Sequence, residues 1–162
     1  MSLSARFWVD KITNSIEEGS TGISHKTEIA LLRVDDIGFI HRKNGWFFNW
    51  EEEYKKTKRH VFKLTLDKDK LIQGLISLEP FENYIEMHLI ESAPHNYGTT
   101  KRFIGVPANL VAFACKLSFD SGFEGFVGFT AKTNLIHHYI EALGAELIFR
   151  NRMSISGNSA KN

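Results

Sequence analysis

The sequence predicts an α/β fold of the α+β kind, with a mixed, mainly antiparallel central sheet flanked by helices on both faces. Three observations point there. Residues 61–66 (Val-Phe-Lys-Leu-Thr-Leu) and 71–78 are β-rich runs separated by the charged turn Asp67-Lys-Asp-Lys70, the pattern of an antiparallel hairpin. Residues 84–90 form a third alternating run. After a polar stretch comes an apolar segment, 110–119, too long for a typical buried strand and so read as a buried helix from about Pro107 to Ser121. A further strand and helix, 125–130 and 133–143, continue the chain. A crossover of this length joins parallel strands, so 125–130 is expected parallel to 84–90.

Each element has its local reason. Residues 5–33 mix short apolar stretches with turn residues. Phe7, Val9 and Ile12 suggest a first strand, 18–22 (Glu-Gly-Ser-Thr-Gly) a loop, and 27–32 a strand or loop. Residues 35–41 read as a short helix, and Lys43-Asn44-Gly45 as a turn. Residues 46–56 read as a helix, because Trp46, Phe47, Trp50 and Tyr54 are spaced to share a face. On 84–90, strict alternation places Ile85, Met87 and Leu89 on one face and Tyr84, Glu86 and His88 on the other. Pro107 is tolerated in a helix's first turn, and Asp120-Ser121-Gly122 ends that helix. On 133–143 the apolar face is Leu135, Ile136, Tyr139, Ile140 and Leu143, with Gly144 as the stop. Residues 146–155 suggest one or two closing strands.

Composition narrows the function classes. A chain of 162 residues can bury a real core as one domain, and 13 Phe residues can fill it without disulfide or metal support. A net charge of +1 gives no global argument for nucleic acid or an anionic membrane as partner. Cys115, the single cysteine, sits in the apolar helix and reads as packing. No apolar run approaches the ~20 residues needed to span a bilayer. No signal-peptide pattern opens the chain, so the cytoplasm is the expected location. No Cys/His spacing suggests a zinc site, and no metal is expected. The oligomeric state stays open, a homodimer being one option.

The loop Arg102-Phe-Ile-Gly105-Val-Pro107-Ala108 carries the most chemistry. Gly105 lets a ligand approach the backbone, and the helix beyond it begins with free N–H groups pointing along its axis, a place for phosphate. An ordinary loop and helix start has the same local pattern. Glu86 and His88 share a strand face, with Glu91 beyond, and could deprotonate a bound ammonium group; they could equally be solvated polar positions. Tyr139 could be an acid or a core aromatic, and Asn134 could be a ligand or part of a helix N-cap. Lys55-Lys56-Thr-Lys58-Arg59 is a basic cluster that suits phosphates, an acidic partner or simple solvation. Trp46, Phe47, Phe48 and Trp50 suit a core, an acceptor wall or an interface.

The span from about Val61 to Ala145 resembles the GCN5-related N-acetyltransferase (GNAT) superfamily, in its element order, its Arg102-x-x-Gly105 loop and Asn134-x4-Tyr139-x4-Gly144-Ala145. The resemblance implies a single acyl-CoA N-acyltransferase-like domain, 1–162, with a variable N-terminal part (1–58) and a cofactor-binding core (59–156). It implies that Arg102, Phe103, Ile104, Gly105, Val106 and Ala108 cradle the pyrophosphate of coenzyme A. Main-chain groups around Ile90 and Ser92 would meet its pantetheine arm, and Asn134 would contact the cofactor. The implied reaction is acetyl transfer from acetyl-CoA to a primary amine, on a small molecule or peptide, by direct attack. Glu86 would be the base, with His88 second to it, and Tyr139 the acid. Two departures stand out: Pro107 occupies the loop's last Gly/Ala position and removes one N–H, and 94–101 lengthen the loop. They favour the alternative of a GNAT-like binding or regulatory module without transferase activity. A structural partner protein using the aromatic N-terminal region is a third reading.

Overall fold

The computed structural model describes residues 15–97, 101–130 and 145–155. Among these residues nine strands form one sheet in the order β6-β1-β2-β3-β4-β5-β7-β9-β8. They are β1 (Ser15–Glu18), β2 (Ser24–Leu31), β3 (His60–Leu66), β4 (Ile72–Pro80), β5 (Ile85–Ser92), β6 (Phe103–Ile104), β7 (Val127–Thr130), β8 (Glu146–Phe149) and β9 (Arg152–Ile155). Every pairing is antiparallel except β5 with β7. The mixed, mainly antiparallel sheet and the parallel crossover therefore match the sequence reading. The expected strand around Phe7, Val9 and Ile12 and the helix at 133–143 lie outside the described residues.

Alternation along the strands divides the core between the two faces. Leu64, Ile76, Leu78, Ile85 and Met87 pack with Leu110, Val111, Ala114 and Cys115 of helix α2 (Val106–Asp120). Val61, Ile72 and Leu75 point the other way and pack with Leu32, Ile40, Trp46 and Trp50 of the N-terminal half. Helix α2 is apolar on nearly every side because it lies across the sheet, with half-buried Phe113 meeting Phe62 edge-on at 4.8 Å between centroids. No helix among the described residues is long and apolar enough to cross a membrane.

Two sequence expectations change. The helix expected over 46–56 is only α1 (Trp50–Tyr54), started by Asn49, whose Oδ1 accepts Glu52 N–H at 3.1 Å. Trp46 packs in the core, and Phe47 and Phe48 are held instead by a long-range acceptor described below. On β5 the alternation breaks, because Ser77 pairs with Leu89 while its neighbour Leu78 pairs with Met87. His88 is thus the extra residue of a β-bulge. Leu89 consequently packs with the Trp50 cluster, while Met87 packs under α2.

The basic cluster is partly consumed within the fold. Glu53 is 3% exposed and accepts from Arg59 Nη1 at 2.9 and 3.0 Å, Lys56 Nζ at 3.3 Å and Ser77 Oγ at 2.6 Å. Burial pushes its carboxyl up, but the bonds from Ser77, Arg59 and Lys56 outweigh that and hold it below the ordinary range. Lys55 pairs with Glu51 on the helix surface at 3.5 Å.

Candidate active site

The site is built where two parallel strands part. Strands β5 and β7 are registered at Ile85↔Val127 and Glu86↔Gly128, and among the described residues at no later pair. Beyond Glu86 the β7-facing edge of β5 runs on through Ile90 to Ser92, while its other edge stays paired with β4 as far as Gly74↔Ser92. An unpaired strand edge offers alternating N–H and C=O groups to anything that lies along it.

Past Ser92, residues 93–97 and 101–105 lead to α2. Asn96 is the tie. Its Oδ1 accepts Phe103 N–H at 3.0 Å, and its Nδ2 donates to Gln73 Oε1 at 3.0 Å and Gln73 O at 3.2 Å. That fixes Gln73 Oε1 toward His95 Nε2, 2.8 Å away, so the proton sits on Nε2 and Nδ1 keeps the lone pair. Burial first, then the Arg102 charge, lowers the His95 pKa from its ordinary 6.5. This side-chain network joins β4 to residues 95 and 96 and to the start of β6. Sequence reading missed Gln73, His95 and Asn96, because nothing local marks residues that meet only in the folded chain.

Part of the loop expected to hold phosphate is taken up by the fold itself. Phe103 and Ile104 form β6, registered with Glu18 and Glu17 of β1. Arg102 N–H goes to His95 O at 3.1 Å, and Phe103 N–H to Asn96. Those two N–H groups of the expected Arg102–Ala108 cradle are engaged within the fold. The Phe103 ring is buried, and the exposed Arg102 guanidinium lies over it at 5.4 Å. What remains is the helix start. Gly105 takes φ +96, a left-handed conformation that suits glycine, and turns the chain into Val106 and Ala108, whose N–H groups begin α2. Pro107 contributes none.

Beside the parting strands lie four ionisable groups. Glu79 and Glu86 are directly opposed on β4 and β5, an arrangement of like charges that needs compensation. Each carboxylate has its own partner. His88 Nε2 lies 2.9 Å from Glu79 Oε1, and Arg152 grips Glu86 with two bonds of 2.6 and 2.7 Å. A carboxylate only accepts, so Nε2 of His88 carries a proton toward Glu79, and in the neutral ring the lone pair is on Nδ1. Glu86 is 8% exposed with both oxygens engaged, which weighs against its expected role as base. The Arg152 pKa is raised by the hydrogen bond to Glu86, despite burial.

Glu91 occupies the far end of β5, 4% exposed. It accepts Phe47 N–H at 2.6 Å, Phe48 N–H at 3.2 Å, Trp50 Nε1–H at 2.7 Å and Tyr97 O–H at 3.4 Å. Burial, then the Glu91 charge and hydrogen bond, push the Tyr97 hydroxyl up to about 12. Glu91 is thus an anchor for the aromatic segment. Trp50, 1% exposed, belongs to the core, while Phe47 is 62% exposed. Cys115 is buried, and burial pushes its thiol up to about 12. Asn134 and Tyr139 lie outside the described residues. A separate open cleft of about 740 Å³, lined by Glu28, Arg33, Asp36, Phe39, Lys63 and Lys70 among others, shares none of the expected site residues.

No family model matches the chain, and no curated protein matches it. Solved structures do. The spermidine N-acetyltransferase of Vibrio cholerae in complex with CoA and spermine superposes with a TM-score of 0.58 at 17% identity, over 84% of this chain and 98% of that one. The PaiA N-acetyltransferase of Thermoplasma acidophilum in complex with coenzyme A gives 0.55 at 14%, over 81% and 99%. A putative streptothricin acetyltransferase of Bacillus anthracis in complex with acetyl coenzyme A gives 0.55 at 14%, over 81% and 95%. The chain therefore has the GNAT fold, as its sequence suggested.

Proposed function

We propose that the protein is an acyltransferase that moves an acetyl group from acetyl-CoA to a primary amine. The observation that carries this is the early parting of β5 from β7, which among the described residues leaves one edge of β5 unpaired beyond Glu86 and leads toward the start of α2, where no side chain caps the helix. An extended amide-bearing arm ending in a diphosphate suits that sequence of features: strand edge for the arm, helix N-terminus for the charge. Main-chain groups around Ile90 and Ser92 would hold the arm. Gly105, Val106 and Ala108 would hold the diphosphate, with the Arg102 charge at the rim. Coenzyme A, when bound, supplies an acyl group activated as a thioester.

This chain's own residues do the rest. His88 takes a proton from the acceptor's ammonium group on Nδ1, directly or through one water, freeing the neutral amine that attacks, while Glu79 holds the ring and stabilises its charged form. Because His88 is the bulged residue of β5, its side chain is displaced from the regular alternation at the point where the strands separate. Main-chain N–H groups of β5 polarise the carbonyl under attack. Tyr139 keeps the role that the resemblance implies, returning a proton to the departing thiolate. Half-buried Phe48 and exposed Phe47, anchored by Glu91, form one wall of the acceptor side. The neighbours known with spermine or streptothricin in their names support an amine acceptor as a class.

Release of free thiol from acetyl-CoA tests this, using polyamines, aminoglycosides and peptide N-termini as acceptors. Turnover with any of them supports the transferase. Binding of acetyl-CoA without thiol release across the panel favours the second reading, a GNAT-like binding module. Pro107 and the commitment of the Arg102 and Phe103 N–H groups support that second reading.

A further inference from the structure

Glu86 and Arg152 meet at an unusual place. Glu86 is on the last registered pair between β5 and β7, opposite Gly128. Arg152 belongs to β9, the next strand over, where it pairs with Thr130. The two side chains therefore reach each other across β7. Glycine at 128 makes that crossing possible: a Cβ there would stand 3.2 Å from Arg152 Nη2 and 3.0 Å from the Tyr84 ring. Arg152 Nη1 bonds Glu86 Oε2 at 2.7 Å and Thr130 Oγ1 at 2.8 Å, and Nη2 bonds Glu86 Oε1 at 2.6 Å. One guanidinium thus ties β5, β7 and β9 together.

We infer that the Glu86–Arg152 pair is a clamp that sets the angle at which β5 and β7 part, and so positions the acyl-donor slot. This rests on the acetyl-CoA reading above. Two registered pairs are a short ladder, and a bidentate charge-assisted bond adds a directional link at its end. Glu79, the other carboxylate facing Glu86, is occupied by His88, so it does not compete for Arg152. Leverage makes the pivot matter. From Glu86 to Ser92 is six strand steps, about 20 Å at ~3.3 Å each. A change of ~5° at the pivot would move the far wall by roughly 1.7 Å, and misplacement of ~1 Å can cost ~100-fold in rate. Both residues are positioning residues on this account, acting through the strands.

Calorimetric titration of free coenzyme A into wild type, Glu86→Gln, Arg152→Lys and the double variant tests the clamp, at a temperature where circular dichroism shows all of them folded. The clamp predicts that each single variant weakens binding at least tenfold. It predicts that the double variant is no worse than the weaker single. Arg152→Lys is the decisive arm, since a lysine keeps the charge but loses the two-pronged bond. If Glu86 were instead the catalytic base, Glu86→Gln would bind coenzyme A normally and only kcat would fall, while Arg152→Lys would not copy it. Equal affinity in wild type and both single variants overturns the clamp. Should Glu86→Gln fail to fold, Arg152→Lys and Thr130→Val carry the same test. Wild type that does not bind coenzyme A overturns the acetyl-CoA reading itself, a result distinct from wild type binding with unaffected variants.

Discussion

His88 is defined by what holds it. Its Nε2 faces Glu79 at 2.9 Å, leaving Nδ1 for chemistry. General-base catalysis contributes about 10²–10⁴-fold, so His88→Gln should lower kcat within that range while acetyl-CoA affinity stays put. Unchanged kcat would remove His88 from the mechanism. Cys115 makes the opposite kind of prediction. Its thiol is buried and pushed up to about 12, so a thiol reagent at pH 8 should leave it unmodified in native protein and label it in urea. Rapid native labelling would contradict the packing of α2 against the sheet.

At the scale of elements, the least legible feature was the segment before α1. Its aromatic spacing suits a helix, yet the N–H groups of Phe47 and Phe48 are drawn to a carboxylate more than forty residues away in sequence. Nothing local in 46–56 encodes that acceptor. The bulge at His88 was equally hidden: strict alternation placed Leu89 with Met87, and one inserted residue sends it to the opposite face. By contrast, helix α2, the β3–β4 hairpin and the parallel crossover were readable, because continuous apolarity, alternation and crossover length are local signals. The loop before α2 lay between these cases. Its glycine and helix start were visible, while the strand pairing that consumes part of it was not. Glu91 should be costly to lose. Glu91→Ala strips the acceptor from the buried Trp50 indole N–H and from three part-buried donors; a buried donor costs about 1–3 kcal/mol when orphaned, so a loss of about 1–3 kcal/mol is expected in urea unfolding. A loss under about 0.5 kcal/mol would mean that the segment is held by packing alone.

For the whole molecule, the acid side is where stability should erode. His95 has a folded-state pKa below its ordinary 6.5, so the unfolded chain binds its proton more readily. Stability from this source is fully present above pH 6.5 and falls as pH drops through the folded value. Glu53, held below its ordinary 4.5, adds a second loss at lower pH by the same sign. The unfolding midpoint should therefore decline from pH 7 to pH 5 in wild type and decline less in His95→Gln. A parallel decline in both would assign the acid sensitivity elsewhere.

The sheet, whose parallel β5–β7 pair parts above Glu86, supports the central claim that this chain holds acetyl-CoA. Thermal unfolding with and without acetyl-CoA tests it most directly. At 100 times the dissociation constant a ligand adds about 2.7 kcal/mol. For a chain of this size each kcal/mol raises the midpoint by about 2–4 °C, so a rise of roughly 5–11 °C is expected. No rise at millimolar acetyl-CoA would contradict the account.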